Sequence, residues 1–126
     1  MRFGDVKSYQ QNDRASREIE LHGVLQKKNS KGFFQNRYFR TAGVILSYYR
    51  DFDSFQKNPY VPSESYKFTD MASVVDTVDR CFIISFQAAA FKLEIRAATD
   101  AQCLQWTSFL RAKINLYSVN EVNRML

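Results

Sequence analysis

The strongest constraint on this chain is a change of hydrophobic period at Thr99. Before it, short segments alternate apolar and polar residues, as half-buried strands do. After it, Cys103, Trp106, Leu110, Ile114 and Tyr117 recur at steps of three or four, the period of a helix with one apolar face. Such a chain sets a run of short strands against a single helix, and that helix needs a surface to cover. Thr99-Asp100-Ala101-Gln102 marks the start of the helix as a capping box.

The strands can be placed from the same alternation. Ile19, Leu21, Gly23 and Leu25 alternate with Glu20, His22, Val24 and Gln26, predicting a first strand that ends at Lys27-Lys28. Asn29-Ser30-Lys31-Gly32 has turn chemistry, so Phe33 to Thr41 returns as the second strand of a hairpin. Gly43 precedes a third strand, Val44 to Arg50. The stretch from Asp51 to Glu64 holds both prolines, Pro59 and Pro62, and reads as a long connection, a lid or a flexible loop. Shorter strands are expected near Tyr66–Phe68, Ser73–Asp76, Cys81–Phe86 and Phe91–Arg96, making seven. Residues 1–18 read as a polar N-terminal leader and residues 19–117 as one domain. Ser118-Val119-Asn120-Glu121 resembles a second capping box opening a helical extension over 118–126.

At 126 residues, 45% hydrophobic and 15% aromatic, the chain is large enough for one packed core and too small for two. Its net charge of +5 is unevenly spread: residues 1–50 hold ten Lys or Arg against four Asp or Glu, whereas the remainder is close to neutral. That asymmetry points to an anionic partner met mainly by the N-terminal strands. Cys81 and Cys103 lack zinc-ligand or disulfide-framework spacing, so no metal or cofactor is expected. No apolar run approaches the roughly 20 residues of a membrane span, and neither terminus carries a signal core or a lipidation motif. Membrane contact is therefore expected to be peripheral. Catalysis is not expected: His22 is the sole histidine and has no acid or nucleophile at motif spacing. Asp51 and Asp53, like Asp76 and Asp79, read as turn formers.

Local motifs add a family resemblance. Leu21-His22-Gly23-Val24-Leu25-Gln26-Lys27-Lys28 resembles the Gly-x-Leu-x-Lys first strand of pleckstrin-homology domains. Phe34-Gln35-Asn36-Arg37-Tyr38-Phe39 resembles their second strand and Ile45-Leu46-Ser47-Tyr48-Tyr49 their third, while Trp106 stands where that family has its helix tryptophan. The resemblance implies a mainly β (α+β) fold: a seven-stranded, partly open antiparallel barrel of two orthogonal sheets, capped by a C-terminal helix, with Trp106 as a structural anchor. It also implies a peripheral module on the cytosolic face of a membrane that grips anionic phospholipid headgroups.

In that family, a lysine near the end of the first strand and an arginine in the second hold the phosphates. Lys27 and Arg37 match those positions. Lys28 and Lys31 add charge, and Tyr48 and Arg50 on the third strand are expected to reach the same pocket. Gln35 departs from the pattern where high-affinity members carry Lys or Arg, and an amide adds no charge against adjacent phosphates. The expected ligand is therefore phosphatidic acid or a singly phosphorylated phosphoinositide rather than a polyphosphoinositide. Phe33 and Phe34 are the candidates for membrane insertion. For Phe33 insertion and cover of the barrel edge stand level, and for Phe34 packing at the base of the turn is favoured. The alternative function is a protein-interaction scaffold on the same barrel that binds little lipid. Nucleic acid is not an expected partner, because the aromatics fall largely at inward strand positions.

Overall fold

The structure is a computed structural model that describes residues 21–125, with side chains to residue 118. The leader and the strand start at Ile19 and Glu20 lie outside the described residues. Seven strands form in chain order: β1 (His22–Lys28), β2 (Phe34–Ala42), β3 (Ile45–Tyr49), β4 (Glu64–Lys67), β5 (Met71–Asp76), β6 (Cys81–Phe86) and β7 (Lys92–Arg96). A short helix α1 (Phe52–Lys57) lies between β3 and β4, a 3-10 turn (Phe68–Asp70) joins β4 to β5, and helix α2 (Asp100–Met125) closes the chain. The first strand ends at Lys28 as expected, and the other six lie within two residues of their expected places.

All pairings are antiparallel, and the order β4-β3-β2-β1-β7-β6-β5 makes one open sheet with β4 and β5 at its edges. The β1–β2 ladder is long, running from His22 opposite Arg40 to Lys28 opposite Phe34. Its turn is set by Asn29, whose side-chain oxygen accepts from the amides of Lys31 (2.9 Å) and Phe33 (3.0 Å), while Gly32 takes a φ of 90°. The β1–β7 ladder is short, pairing Gln26 with Arg96 and Lys27 with Ile95, and it joins the two halves of the sheet.

Alternation puts Leu25, Phe39, Leu46, Ile84 and Ile95 on the inner face, all buried. The helix covers this face against β5, β6 and the 3-10 turn. Trp106 is 1% exposed and meets Phe39 edge-on at 6.4 Å, buried between the helix and the sheet. The helix start follows the capping pattern with one variation. Thr99 Oγ1 accepts from the Gln102 amide, but Gln102 Oε1 reaches the amide of Ala98 rather than that of Thr99. Gln102 Nε2 then donates to the Val24 carbonyl and ties the helix to β1. The helix runs through Ser118 to Met125 without a break, so no second helix start interrupts it. Residues 119–121 of the second capping box lie beyond the described side chains.

The connection after β3 is a correction to the reading of 51–64 as a lid or flexible loop. Asp51 caps α1 through a 2.7 Å bond from the Ser54 amide, which holds its carboxyl below the usual range, and Asp53 pairs with Lys57 one turn on. Phe52 and Phe55 of α1 fold back onto Tyr38 and Tyr49, which are buried although they face outward on β2 and β3. A small aromatic cluster thus covers the outer face of the sheet, away from the barrel interior.

Lys113 on α2 is 4% exposed, and its ammonium has no hydrogen-bond partner. The rings of Phe68, Phe109 and Tyr117 surround it at 5.7–5.9 Å. Burial lowers its pKa below 10.5. The unfolded chain therefore binds the proton more tightly, so the burial cost is complete below the folded pKa and disappears as pH rises past 10.5. Lys113→Met is expected to stabilise the fold by about 1 kcal/mol at pH 7, with the gain fading toward pH 10.5 in denaturant titrations. Trp106→Ala is expected to cost about 3–5 kcal/mol in the same assay, and an unchanged midpoint would remove the helix–barrel contact from its central role.

Candidate functional site

Strand alternation sorts the basic residues of the hairpin. Lys27, Gln35 and Arg37 share the inner face with Leu25 and Phe39, with Lys27 opposite Gln35 and Leu25 opposite Arg37 across the ladder. They lie toward the turn, at the open end of the barrel. The Lys27 ammonium sits 5.4 Å above the ring of Tyr48, which packs in turn on Phe39 at 5.3 Å. Lys27, Arg37 and Tyr48 are thus brought together as expected.

Arg37 donates through one terminal nitrogen to the Asn36 carbonyl at 2.7 Å and through the other to Gln35 Oε1 at 3.1 Å. Gln35 is therefore a brace that orients the guanidinium, its carbonyl oxygen already occupied. Lys27 donates only one long 3.4 Å bond, to the Lys28 carbonyl, which leaves most of its donor capacity free.

Across the β3–β4 ladder, Glu64 faces Tyr48. Burial raises the Tyr48 phenol pKa first, Glu64 raises it further, and Arg37 together with a hydrogen bond from Tyr66 pulls it back. Tyr66 is itself driven well above the ordinary tyrosine value by burial and by Tyr48 and Glu64. Both phenols are neutral donors at physiological pH. The mouth therefore holds two cations, one carboxylate and a tyrosine floor. Glu64 and Tyr66 escaped the sequence reading, because their place depends on the β3–β4 register after a long connection.

Other expected site residues lie elsewhere. Lys28 is a correction: it points to the opposite face from Lys27, pairs with Glu94 at 3.3 Å and lies 5.8 Å from the Phe34 ring. Neighbours in a strand face opposite ways, so the two lysines cannot share one pocket. Phe34 is also corrected as an insertion candidate, since the Arg96 guanidinium covers its ring at 4.2 Å and is held there by a 2.7 Å bond to Gln26. Arg50 lies past the end of β3, exposed, and its charge acts on Asp51 rather than on the Lys27 cluster. Lys31 and Phe33 occupy the turn, where Phe33 is 67% exposed. His22 is exposed at the far end of β1, bonded to the Tyr38 hydroxyl at 3.1 Å.

Among the described residues there is no cluster of His, Cys, Asp or Glu able to hold a metal, and no helix long and apolar enough to cross a membrane. Cys81 and Cys103 are free thiols whose pKa values are raised by burial.

No protein-family model matches the chain, and no curated protein matches it in sequence. Solved structures do. The N-terminal PH domain of human ARAP2 superposes with a TM-score of 0.62 at 20% identity, over 79% of this chain and 83% of that one. The Slm1 PH domain in complex with phosphoserine gives 0.68 at 15% identity, over 78% and 98%. The C-terminal PH domain of pleckstrin, in complex with D-myo-Ins(1,2,3,4,5)P5, gives 0.60 at 18% identity, over 74% and 95%. With seven antiparallel strands in this order and one closing helix, the chain has the fold of the pleckstrin-homology domains.

Proposed function

We propose that this chain is a peripheral membrane module that binds one phosphate of an anionic phospholipid, phosphatidic acid or a singly phosphorylated phosphoinositide, in the mouth beside the β1–β2 hairpin. The pleckstrin-homology fold is generally a non-catalytic binding module, and two of the similar structures hold anionic ligands, an inositol pentakisphosphate and phosphoserine. The observation that carries the reading is Lys27 over the Tyr48 ring with the Gln35-braced Arg37 on the same face of the hairpin, near enough for its charge to act on Tyr48. Converging charged donors are what phosphate recognition requires. Two cations beside Glu64 match one phosphate better than two, which supports the preference for a singly phosphorylated headgroup.

Lys31 and Phe33 at the turn extend the contact to the bilayer surface, basic charge meeting anionic lipid and the exposed ring entering the headgroup layer. Each basic residue contributes about 1 kcal/mol near an anionic surface and the ring about 2. Binding of this strength is reversible, and a second anchor in a longer protein would strengthen it.

Vesicle co-sedimentation at physiological salt tests the reading. Wild type is expected to pellet with phosphatidic acid or an inositol monophosphate lipid, and Lys27→Ala/Arg37→Ala to bind roughly thirtyfold more weakly, the equivalent of about 2 kcal/mol. Equal pelleting of the double variant would remove the mouth as the site. Failure of wild type to pellet with any anionic lipid would leave the protein-scaffold reading in its place.

A further inference from the structure

We propose that the outer face of the sheet carries a second recognition site, a groove across β2, β3 and β4 that binds a short, extended acidic peptide of a protein partner. The proposal stands apart from the headgroup reading, because the groove lies at the other end of β2 from the hairpin turn. Arg40 and Ala42 line it, and from Phe34, where β2 starts, to Arg40 is roughly 20 Å of strand.

The groove has a volume of about 440 Å³. Its floor is deep because the outward residues there are small: Ala42, Ser47 and Ser65 stand on the face that Tyr38 and Tyr49 fill nearer the turn. The hydroxyls of Ser47 and Ser65 bond each other across the β3–β4 ladder at 2.9 Å. The wall is the segment between α1 and β4, which presents Pro59, Tyr60 and Pro62, and Phe55 of α1 continues it. Arg40 closes one end with its guanidinium 4.7 Å from the centre of the Phe55 ring.

Tyr60 is 92% exposed, yet its backbone is pinned on both sides. The Tyr49 hydroxyl donates to the Pro59 carbonyl at 2.5 Å, the Val61 amide to the Asn58 carbonyl at 3.2 Å and the Ser63 amide to the Tyr48 carbonyl at 2.8 Å. Pro59 and Pro62 restrict the chain further. An aromatic ring held in water by a fixed backbone is a preorganised anchor, since a partner that covers it removes apolar surface from water and orders little new chain.

Shape and charge select the occupant. The floor follows β3 from Ile45 to Tyr49, about 13 Å, which matches about four residues of extended chain. Among the described residues no carboxylate lines the groove, whereas Arg40 does, and Lys67, exposed on the β4 rim opposite Ile45, adds a second cation. A peptide with an apolar residue for the Tyr60 wall and carboxylates for these cations complements both features. A second copy of this chain does not, because in a two-fold contact the patch meets itself and cation faces cation.

Fluorescence polarisation with the full chain and two pools of fluorescein-labelled octapeptides tests the proposal. In one pool glutamates flank a central Leu, Phe or Pro, and in the other lysines replace the glutamates. The acidic pool is expected to bind roughly tenfold more tightly than the basic pool, with the difference shrinking at high salt. Tyr60→Ala is expected to weaken the acidic pool roughly tenfold and Lys67→Glu roughly fivefold. Both positions are exposed, so both variants are expected to keep the wild-type thermal midpoint. In spectra of the nitrogen-labelled chain, the amides of Ser47, Tyr60 and Ser65 are expected to shift with the acidic pool while those of Lys27 and Arg37 stay in place. Equal binding of the two pools, binding of neither, or binding that survives Tyr60→Ala overturns the proposal and leaves the headgroup site untouched. Shifts at the same amides that depend on protein concentration without peptide would also overturn it, in favour of a second copy on this face.

Discussion

The contact between the apolar face of α2 and the inner face of the sheet is the interaction on which the rest depends. A seven-stranded sheet with free edges at β4 and β5 exposes a row of large apolar residues unless something covers them. Trp106 against Phe39 does so from the middle of the helix, and Gln102 bonded to Val24 and Arg111 to Val74 fix its two flanks to opposite halves of the sheet. With that end closed, the other end is left open to water. Lys27 and Arg37 sit on the same face as Leu25 and Phe39 but reach water at the mouth.

Electrostatics at the mouth follows from this geometry. Among the described residues the inner-face cations near the turn have no acidic partner in contact, while the outer face spends Lys28 on Glu94 and Arg96 on Gln26 and Phe34. The outer set stabilises the hairpin base and leaves the inner set for a ligand. Gln35 shows how one neutral residue changes the character of the site: its oxygen orients Arg37, at the cost of a third charge. The aromatic cluster under α1 holds the long connection against the outer face, so that segment leaves the mouth uncovered.

Much of the fold was legible because it rests on local periodicity. The strands from Leu25 onward, the helix at Thr99 and the burial of Trp106 all follow from which residues must be buried, and a slip of one residue would expose a whole face. Helix α1 was less visible: it is only six residues long, its helical period is masked by prolines nearby, and the tyrosines it covers read equally well as barrel core. Within the site, Lys27, Arg37 and Tyr48 were legible from strand parity. Lys28 and Phe34 were misplaced by proximity in sequence, which ignores that adjacent strand residues point to opposite faces.

The amino-acid sequence by itself determined the order of elements, the inner and outer faces of β1 and β2, and the identity of the cations available for an anion, since these depend on residue type and spacing over a few positions. Only the tertiary structure decided which groups from distant segments meet at the mouth. Glu64 and Tyr66 from β4 and Phe91 before β7 reach Tyr48 and Lys27 through ladder registers and ring stacking between strands far apart in the chain. Those registers are selected by closure of the whole sheet around one core, which no local pattern encodes.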